Sequence, residues 1–215
     1  EGWAGGARRG AVKQVLNERR FRWLGRNIDG FLSIGSANRD YYIANGIDEA
    51  RIFPMPYAID NGLFDGAAIT GESRALLRAG LGLEEGRPVI LFAAKFIARK
   101  RPGDLLDAYA RLIGAANGSR RRKPYLVMVG DGRERERLMG RATALGLDSV
   151  RFPGFVNQSE LPAYYDLCDA FVLPSEQEPW GLAVNEAMAM GRAVIIGDQV
   201  GAAADLVREG ENGHV

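Results

Sequence analysis

The sequence predicts an α/β fold built on a doubly wound parallel sheet with helices on both faces. Short, nearly continuous apolar segments alternate with amphipathic helical patterns from about residue 88 onward, and this alternation is typical of parallel strands that are buried on both faces. Ligands of such sheets bind beyond the carboxyl ends of the strands. The predicted strands are 89–94, 125–129, 150–153, 170–173 and 193–196, and the helical patterns between them cover 103–115, 133–145, 158–168 and 180–190.

The chain before residue 60 contains elements of its own. Apolar side chains recur at a helical period over residues 7–27. The apolar segment 31–34 lies between two glycines and predicts a short strand. A helix is then expected from Ser36 to Asn45, with Ser36 as its N-cap and Gly46 as its C-terminal stop.

A linker is expected between these elements and the regular alternation. Residues 51–57 should be extended, because Pro54 and Pro56 disfavour helical backbone in the residues that precede them. Residues 58–70 hold several Asp, Asn and Gly residues that favour turns. We therefore expect three parts: 1–60, 61–87 with a linker and an entry helix, and the main domain 88–215.

Composition excludes several classes of chemistry. The 215 residues contain one cysteine, Cys168, and one histidine, His214 near the end, so a disulfide, a zinc site and a Ser-His-Asp triad are not expected. We expect no metal and no cofactor. No apolar run of about 18 residues and no apolar leader is present, which predicts a cytoplasmic protein. Cys168 is interpreted as a small buried hydrophobic residue.

The first 30 residues hold seven basic and three acidic side chains, although the whole chain has a net charge of +1. A solvated helix face explains this excess. The alternative is peripheral contact of residues 8–26 with an anionic membrane surface. The basic run 119–123 is interpreted as a solvated loop between a helix and a strand, so no nucleic acid partner is expected.

Two of the predicted strands end in segments suited to phosphate groups. The segment 95–102 carries Lys95 and Lys100 between a strand and a helix, where cations and helix N–H groups attract polyanions. The turn Gly130-Asp131-Gly132 follows the next strand, and its glycines permit close approach of another chain segment or a ligand. It lacks the G-x-G-x-x-G spacing of dinucleotide sites.

The segment after the strand 170–173 carries two carboxylates. Glu178 precedes a helix that Pro179 is expected to start, and Glu186 lies two turns further along. Side chains on a helix lean toward its N-terminus, so both carboxylates are expected to face one ligand. A carboxylate that accepts two hydroxyl hydrogen bonds suits a vicinal diol such as ribose.

These residues resemble the E-x(7)-E signature of retaining GT-B glycosyltransferases of the family-4 type. The likeness covers about residues 28–215, and it implies a Rossmann-like fold, the C-terminal half of a GT-B fold, truncated at its end. Other matching segments follow in the family's order: the linker-like 52–61, Lys95 and Lys100, the turn Gly130-Asp131-Gly132, the segment 152–156, and Ala187-Met188-Ala189 with Gly191.

The resemblance implies transfer of a sugar from a nucleoside-diphosphate donor to an acceptor glycan or glycolipid hydroxyl, with retention of configuration and without a metal. It implies catalytic roles for Lys95 and Lys100 at the pyrophosphate and for Glu178 at the sugar. It implies a ribose contact for Glu186 and a base contact for the segment holding Phe155 and Val156. Trp180 either stacks on the donor or fills a position usually held by an aromatic residue. The implied donor-binding residues are Gly130, Asp131, Gly132, Phe155, Val156, Trp180, Gly181, Leu182 and Glu186.

The sequence also departs from the family pattern. The glycine-rich acceptor loop and a histidine near the sugar have no counterpart, Ala94 stands where glycine is usual, and the family's last strand would begin near Gly213. We expect residues 1–60 to be loosely held, with Val12, Leu16, Trp23 and Leu24 exposed, and no transfer by these 215 residues alone. The alternatives are a non-catalytic nucleotide-sugar-binding or partner module and a GT-B sugar epimerase.

Overall fold

The chain forms two compact units, one up to Tyr57 and one from Ala58 onward. A computed structural model describes residues 3–65, 69–116 and 122–215, and residues 3–14 by their backbone alone. The predicted solvated loop 119–123 therefore lies largely outside the described residues. Among the described helices, none has the length and apolar character needed to cross a bilayer.

The first unit contains two helices and a two-stranded parallel sheet. Its elements are α1 (Trp3–Asn27), β1 (Phe31–Ser33), α2 (Ser36–Ala44) and β2 (Ile52–Pro54), with β1 paired to β2. The prediction of Ser36 as the N-cap is wrong, because Gly35 holds that position and Ser36 is the first helical residue. Gly46 does end the helix, with φ +84° and an N–H bonded to the Ile43 carbonyl at 2.9 Å.

A small apolar cluster holds this unit together. Phe21 of α1 is buried with Phe31, Ile47 and Ile52, and Leu24 packs against the same cluster. The expected exposed apolar patch is therefore only partly present. Leu16 and Trp23 are 60% and 63% exposed, Leu24 is half-buried, and the side chain of Val12 lies outside the described residues.

The second unit alternates helices and strands as predicted. Three of the five predicted strands match the structure fully, and the other two, 89–94 and 150–153, each differ from it by one residue at the carboxyl end. The elements are α3 (Gly71–Gly80), β3 (Val89–Ala93), α4 (Pro102–Ala115), β4 (Tyr125–Val129), α5 (Arg135–Ala144), β5 (Val150–Gly154), α6 (Leu161–Leu167), β6 (Ala170–Leu173), α7 (Leu182–Ala189), β7 (Ala193–Ile196), α8 (Ala203–Leu206) and β8 (Gly213–His214).

All six strands of this unit run parallel in the order β5-β4-β3-β6-β7-β8. The order reverses between β3 and β6, so the loops after these strands diverge and leave a crevice at their carboxyl ends. The interior strand β4 is buried at all five positions. Toward the edge, Ile195 of β7 is 46% exposed, so among the described residues one face of that strand is not fully covered.

Helix α7 begins later than the sequence predicts. The expected start at Pro179 is wrong, because Gly181 is the N-cap and adopts a left-handed conformation with φ +99°. A Cβ at Gly181 would lie 3.0 Å from Val200 Cγ1. Left-handed backbone and this close packing both favour glycine, and they separate Glu178 from the helix by a short loop.

An ion pair between a partly exposed arginine and a buried carboxylate joins α3 to α6. Arg74 donates two hydrogen bonds, of 2.6 and 2.7 Å, to the carboxylate of Asp166, whose side chain is only 4% exposed. A buried carboxylate without a partner would be strongly destabilising, so this pair fixes the entry helix of the unit. The neighbouring Cys168 is buried as predicted, and burial raises the pKa of its thiol to about 12.

Candidate active site

A cavity of about 500 Å³ opens at the carboxyl ends of β3, β4 and β5, at the point where the strand order reverses. Seven of the twelve residues that the sequence analysis singled out line it: Lys95, Gly130, Asp131, Gly132, Phe155, Val156 and Glu186. The remaining lining residues are mostly apolar: Ala93, Ala94, Val129, Leu161 and Tyr165. The structure thus brings together segments that are up to 93 residues apart in sequence.

The glycine turn after β4 packs directly on the loop after β3. A Cβ on Gly130 would lie 2.0 Å from the carbonyl oxygen of Ala94, and one on Gly132 would lie 2.4 Å from that of Phe96. Phe96 in turn donates its backbone N–H to the carbonyl of Asp131 at 2.8 Å. The space that the glycines provide is therefore taken up by the neighbouring loop, which holds Lys95 at the cavity wall.

Lys95 and Lys100 have different surroundings. Lys95 is exposed in the cavity wall and has no salt-bridge partner among the described residues. Lys100 does not line the cavity. Its ammonium group forms an ion pair with the carboxylate of Glu178, and the two side chains are only 16% and 12% exposed. The cavity lining therefore contains one cation that forms no salt bridge among the described residues, whereas Lys100 and Glu178 neutralise each other.

The Lys100–Glu178 pair belongs to a wider contact between two loops. The backbone N–H of Glu176 donates to the carbonyl of Arg99 at 2.8 Å, and Arg101 bonds the Glu176 carboxylate at 3.0 Å. Arg101 and Gln177 adopt left-handed backbone conformations, with φ of 52° and 56°. Such conformations are unfavourable for residues other than glycine, so the contacts between the loops hold both in place.

The other predicted residues of this region lie outside the cavity lining. Trp180 is only 4% exposed, and its indole N–H donates to Asn185 Oδ1 at 2.8 Å, so the ring lies in the protein interior. Gly181 forms the N-cap of α7. Leu182, the first residue of that helix, is 40% exposed.

A tyrosine that the sequence analysis did not select holds Glu186 in position. The hydroxyl of Tyr165 donates to Glu186 Oε2 at 2.7 Å, and both residues line the cavity. Burial raises the pKa of Glu186, while the hydrogen bond from Tyr165 opposes that shift. Burial and the Glu186 charge also raise the pKa of Tyr165 well above its ordinary value, so the tyrosine remains a donor at neutral pH.

An exposed aromatic ring marks the rim of the cavity. Phe155 follows β5 and is 74% exposed, a large fraction for a phenylalanine, while Val156 beside it is half-buried. An exposed ring at the mouth of a cavity offers a stacking surface for a planar group. Together the lining offers an apolar surface, one cation, Lys95, and two carboxylates, Asp131 and Glu186.

The described residues include no cluster of three or more His, Cys, Asp or Glu side chains that would hold a metal ion. The single histidine, His214, lies in β8, where its Nδ1 is 2.6 Å from Glu209 Oε1 and its side chain is 62% exposed. It is not among the residues that line the cavity.

This sheet order, with a cavity at its switch point, defines a doubly wound α/β domain. Comparison with known proteins identifies the family. Residues 73–215 match the family described as glycosyl transferases group 1, and the chain belongs to that family.

Its relatives are longer glycosyltransferases. The chain is 35% identical over 145 residues to the lipopolysaccharide core biosynthesis glycosyltransferase LpsE of Rhizobium meliloti, covering 67% of this chain and 39% of LpsE. It spans about two fifths of the length of the curated relatives it matches.

Solved structures show the same fold. Anabaena HepE in complex with UDP and glucose aligns with a TM-score of 0.75 and 24% identity, covering 94% of this chain and 53% of HepE. Sucrose-phosphate synthase from Thermosynechococcus elongatus aligns with a TM-score of 0.69 and 27% identity, covering 92% and 48%.

The raised pKa of Glu186 predicts a specific pH dependence of stability. Because its pKa in the folded state lies above that in the unfolded chain, the ionised carboxylate destabilises the fold at neutral pH, and this cost disappears as the pH falls through the folded-state value. We therefore expect Glu186→Gln to raise the melting temperature at about pH 7, with the gain vanishing at about pH 4.

The control for this measurement is Glu85→Gln, which changes an exposed carboxylate and should give nearly the same melting curve as the unmodified chain at each pH. A lower melting temperature for Glu186→Gln at neutral pH would show that the carboxylate stabilises the fold, contrary to this account.

Proposed function

We propose that this chain supplies the donor-binding part of a glycosyltransferase that moves a sugar from a nucleoside diphosphate to an acceptor hydroxyl with retention of configuration. We place the reaction in polysaccharide or glycolipid assembly. The observation that carries the proposal is the cavity wall, where Lys95, which has no salt-bridge partner among the described residues, and the carboxylate of Glu186 line one cavity. A diphosphate requires a cation and ribose requires an acceptor of hydroxyl hydrogen bonds.

The proposed donor pose follows from the lining. The ribose hydroxyls donate to Glu186, whose carboxylate Tyr165 orients through the 2.7 Å hydrogen bond. The base lies against Phe155 and Val156 at the rim. The diphosphate lies beside Lys95 and the glycine turn. The solved HepE structure contains UDP and glucose, which supports a nucleotide and a sugar as the ligands of this fold.

Lys100 and Glu178 are proposed to act on the sugar end of the donor. When the bond between the anomeric carbon and the diphosphate oxygen breaks, negative charge develops on the leaving group, and a preorganised cation stabilises it. Lys100 supplies that charge together with Lys95, and Glu178 accepts hydrogen bonds from sugar hydroxyls. The two side chains form an ion pair, which keeps both largely buried charges compensated. No metal or cofactor is included in this scheme.

A non-catalytic nucleotide-sugar-binding module is the main alternative. Such a module has no need for a cation and a carboxylate beyond those that bind the nucleotide. The chain retains Lys100 and Glu178 in addition to Lys95 and Glu186, and the relatives it matches are named glycosyltransferases. The enzyme is therefore the better-supported function for the protein to which this chain belongs.

The first prediction concerns Lys95. A screen of UDP, GDP and ADP by calorimetry should find one nucleoside diphosphate that binds the chain, and Lys95→Gln should weaken it about tenfold or more, since a charge-assisted hydrogen bond contributes about 1.5–3 kcal/mol. The control Arg208→Gln changes an exposed arginine that does not line the cavity and should bind normally. Equal affinities for Lys95→Gln and the unmodified chain would refute the phosphate assignment.

The second prediction concerns Glu186. If its carboxylate accepts from the ribose hydroxyls, Glu186→Gln should weaken the ribonucleotide several-fold more than the 2′-deoxyribonucleotide, because the deoxy compound has already lost one of the two donors. Any general effect of the substitution on the cavity weakens both nucleotides alike and so cancels when their losses are compared. Glu85→Gln again serves as the matched control. Equal losses for the two nucleotides would leave Glu186 with a structural role alone.

A further inference from the structure

A second cavity lies at the opposite, amino-terminal end of the strands of the same sheet. Its volume is about 410 Å³, and Pro88 and Asp169, which line it, immediately precede β3 and β6. It therefore opens at the amino ends of the two strands whose carboxyl ends form the candidate active site. Its character differs as well, because arginine side chains dominate the lining: Arg74, Arg78, Arg87 and Arg192.

Two of these four arginines are neutralised by carboxylates. Arg74 forms the bidentate pair with Asp166. Arg87 bonds Glu84 Oε1 at 3.0 Å, and its other nitrogens bond the Lys123 carbonyl and Ser149 Oγ. Neither guanidinium requires a further partner.

Arg78 and Arg192 are less fully paired with carboxylates, because Arg78 has no salt-bridge partner among the described residues and Arg192 has only a long ion pair with Asp166. Arg78 donates from Nη2 to the carbonyls of Glu84 and Arg87 at 2.7 and 2.9 Å, and its buried Nε has no hydrogen-bond partner among the described residues. Arg192 donates to the carbonyls of Met190 and Cys168. The nearest carboxylate to Arg192 is Asp166, at 3.9 Å, which is beyond hydrogen-bond distance.

The remaining carboxylate of the lining does not compensate them. Asp169 accepts the backbone N–H of Val89 at 2.7 Å, and no salt bridge joins it to an arginine among the described residues. Carbonyl oxygens accept hydrogen bonds from the guanidinium N–H groups, but they carry no net charge and so do not neutralise the guanidinium. The lining thus carries four arginines against two aspartates. The charge of Arg78 has no carboxylate partner among the described residues, and that of Arg192 is opposed only by Asp166, which Arg74 already bonds. The space is partly enclosed, and charges there interact more strongly than in bulk water.

We propose that this second cavity binds a phosphate dianion, free or as a monoester, between Arg78 and Arg192. Guanidinium groups match phosphate oxygens with pairs of parallel hydrogen bonds. A dianion would neutralise both cations, including the one whose Nε is unsatisfied. The volume exceeds that of inorganic phosphate, so a small ester group has room. This site is separate from the proposed donor cavity, with which it shares no lining residue.

The test is a titration of the 215-residue chain with inorganic phosphate and with glycerol 3-phosphate, at ionic strength matched with sodium chloride. Calorimetry should show saturable binding that weakens about tenfold or more in Arg78→Gln and in Arg192→Gln. Arg208→Gln, which changes an exposed arginine that lines neither cavity, should bind as the unmodified chain does. Tighter binding of glycerol 3-phosphate would identify an ester as the ligand, and tighter binding of inorganic phosphate would identify the free ion.

A second measurement does not depend on the folding of these variants. In the unmodified chain the side-chain Nε–H resonance of Arg78, assigned by its loss in Arg78→Lys, should shift on addition of phosphate and not on addition of chloride. Absence of that shift, absence of saturation below about 10 mM phosphate, or loss of phosphate binding in Lys95→Gln but not in the arginine variants would overturn the proposal.

Discussion

The close packing of the glycine turn on the loop after β3 is the constraint on which the candidate site depends. The Ala94 and Phe96 carbonyl oxygens occupy the positions where side chains at Gly130 and Gly132 would begin. Any larger residue would push the two loops apart, because backbone atoms cannot move aside as a flexible side chain does. With this packing Lys95 lies at the wall, and the Gly130 N–H bonds the Gly154 carbonyl at 2.8 Å, which ties in the segment holding Phe155.

A second set of contacts determines how the charged residues are held. The loops that carry Lys100 and Glu178 are joined by backbone and side-chain hydrogen bonds, and each contains a non-glycine residue in a left-handed conformation. The Lys100–Glu178 ion pair keeps the charges of both side chains compensated. In the proposed enzyme, Lys100 would contact the donor phosphate and Glu178 the sugar hydroxyls in place of each other.

Sequence reasoning predicted the strands well, because buried parallel strands are short apolar runs with few competing interpretations. It predicted helix starts less well. Pro179 suggested an N-terminus, but the packing of Gly181 against Val200 moves it to Leu182. Lys95, the glycine turn, Phe155 and Glu186 were found because each follows a strand or belongs to a recognisable motif. Tyr165 was not found, because its hydrogen bond to Glu186 depends on the packing of α6 beside α7. No local sequence pattern encodes that packing. The pairing of Lys100 with Glu178 was missed for the same reason.

The central claim is that a nucleoside diphosphate binds at the carboxyl ends of β3, β4 and β5. Backbone amide chemical shifts measured during titration of the ¹⁵N-labelled chain with UDP test it most directly. The account predicts that the largest shifts fall on residues 94–96, 130–132 and 155–156 and on Glu186. Shifts confined to the arginine cavity at the amino ends of the strands, or spread evenly over the surface, would contradict binding at the carboxyl ends.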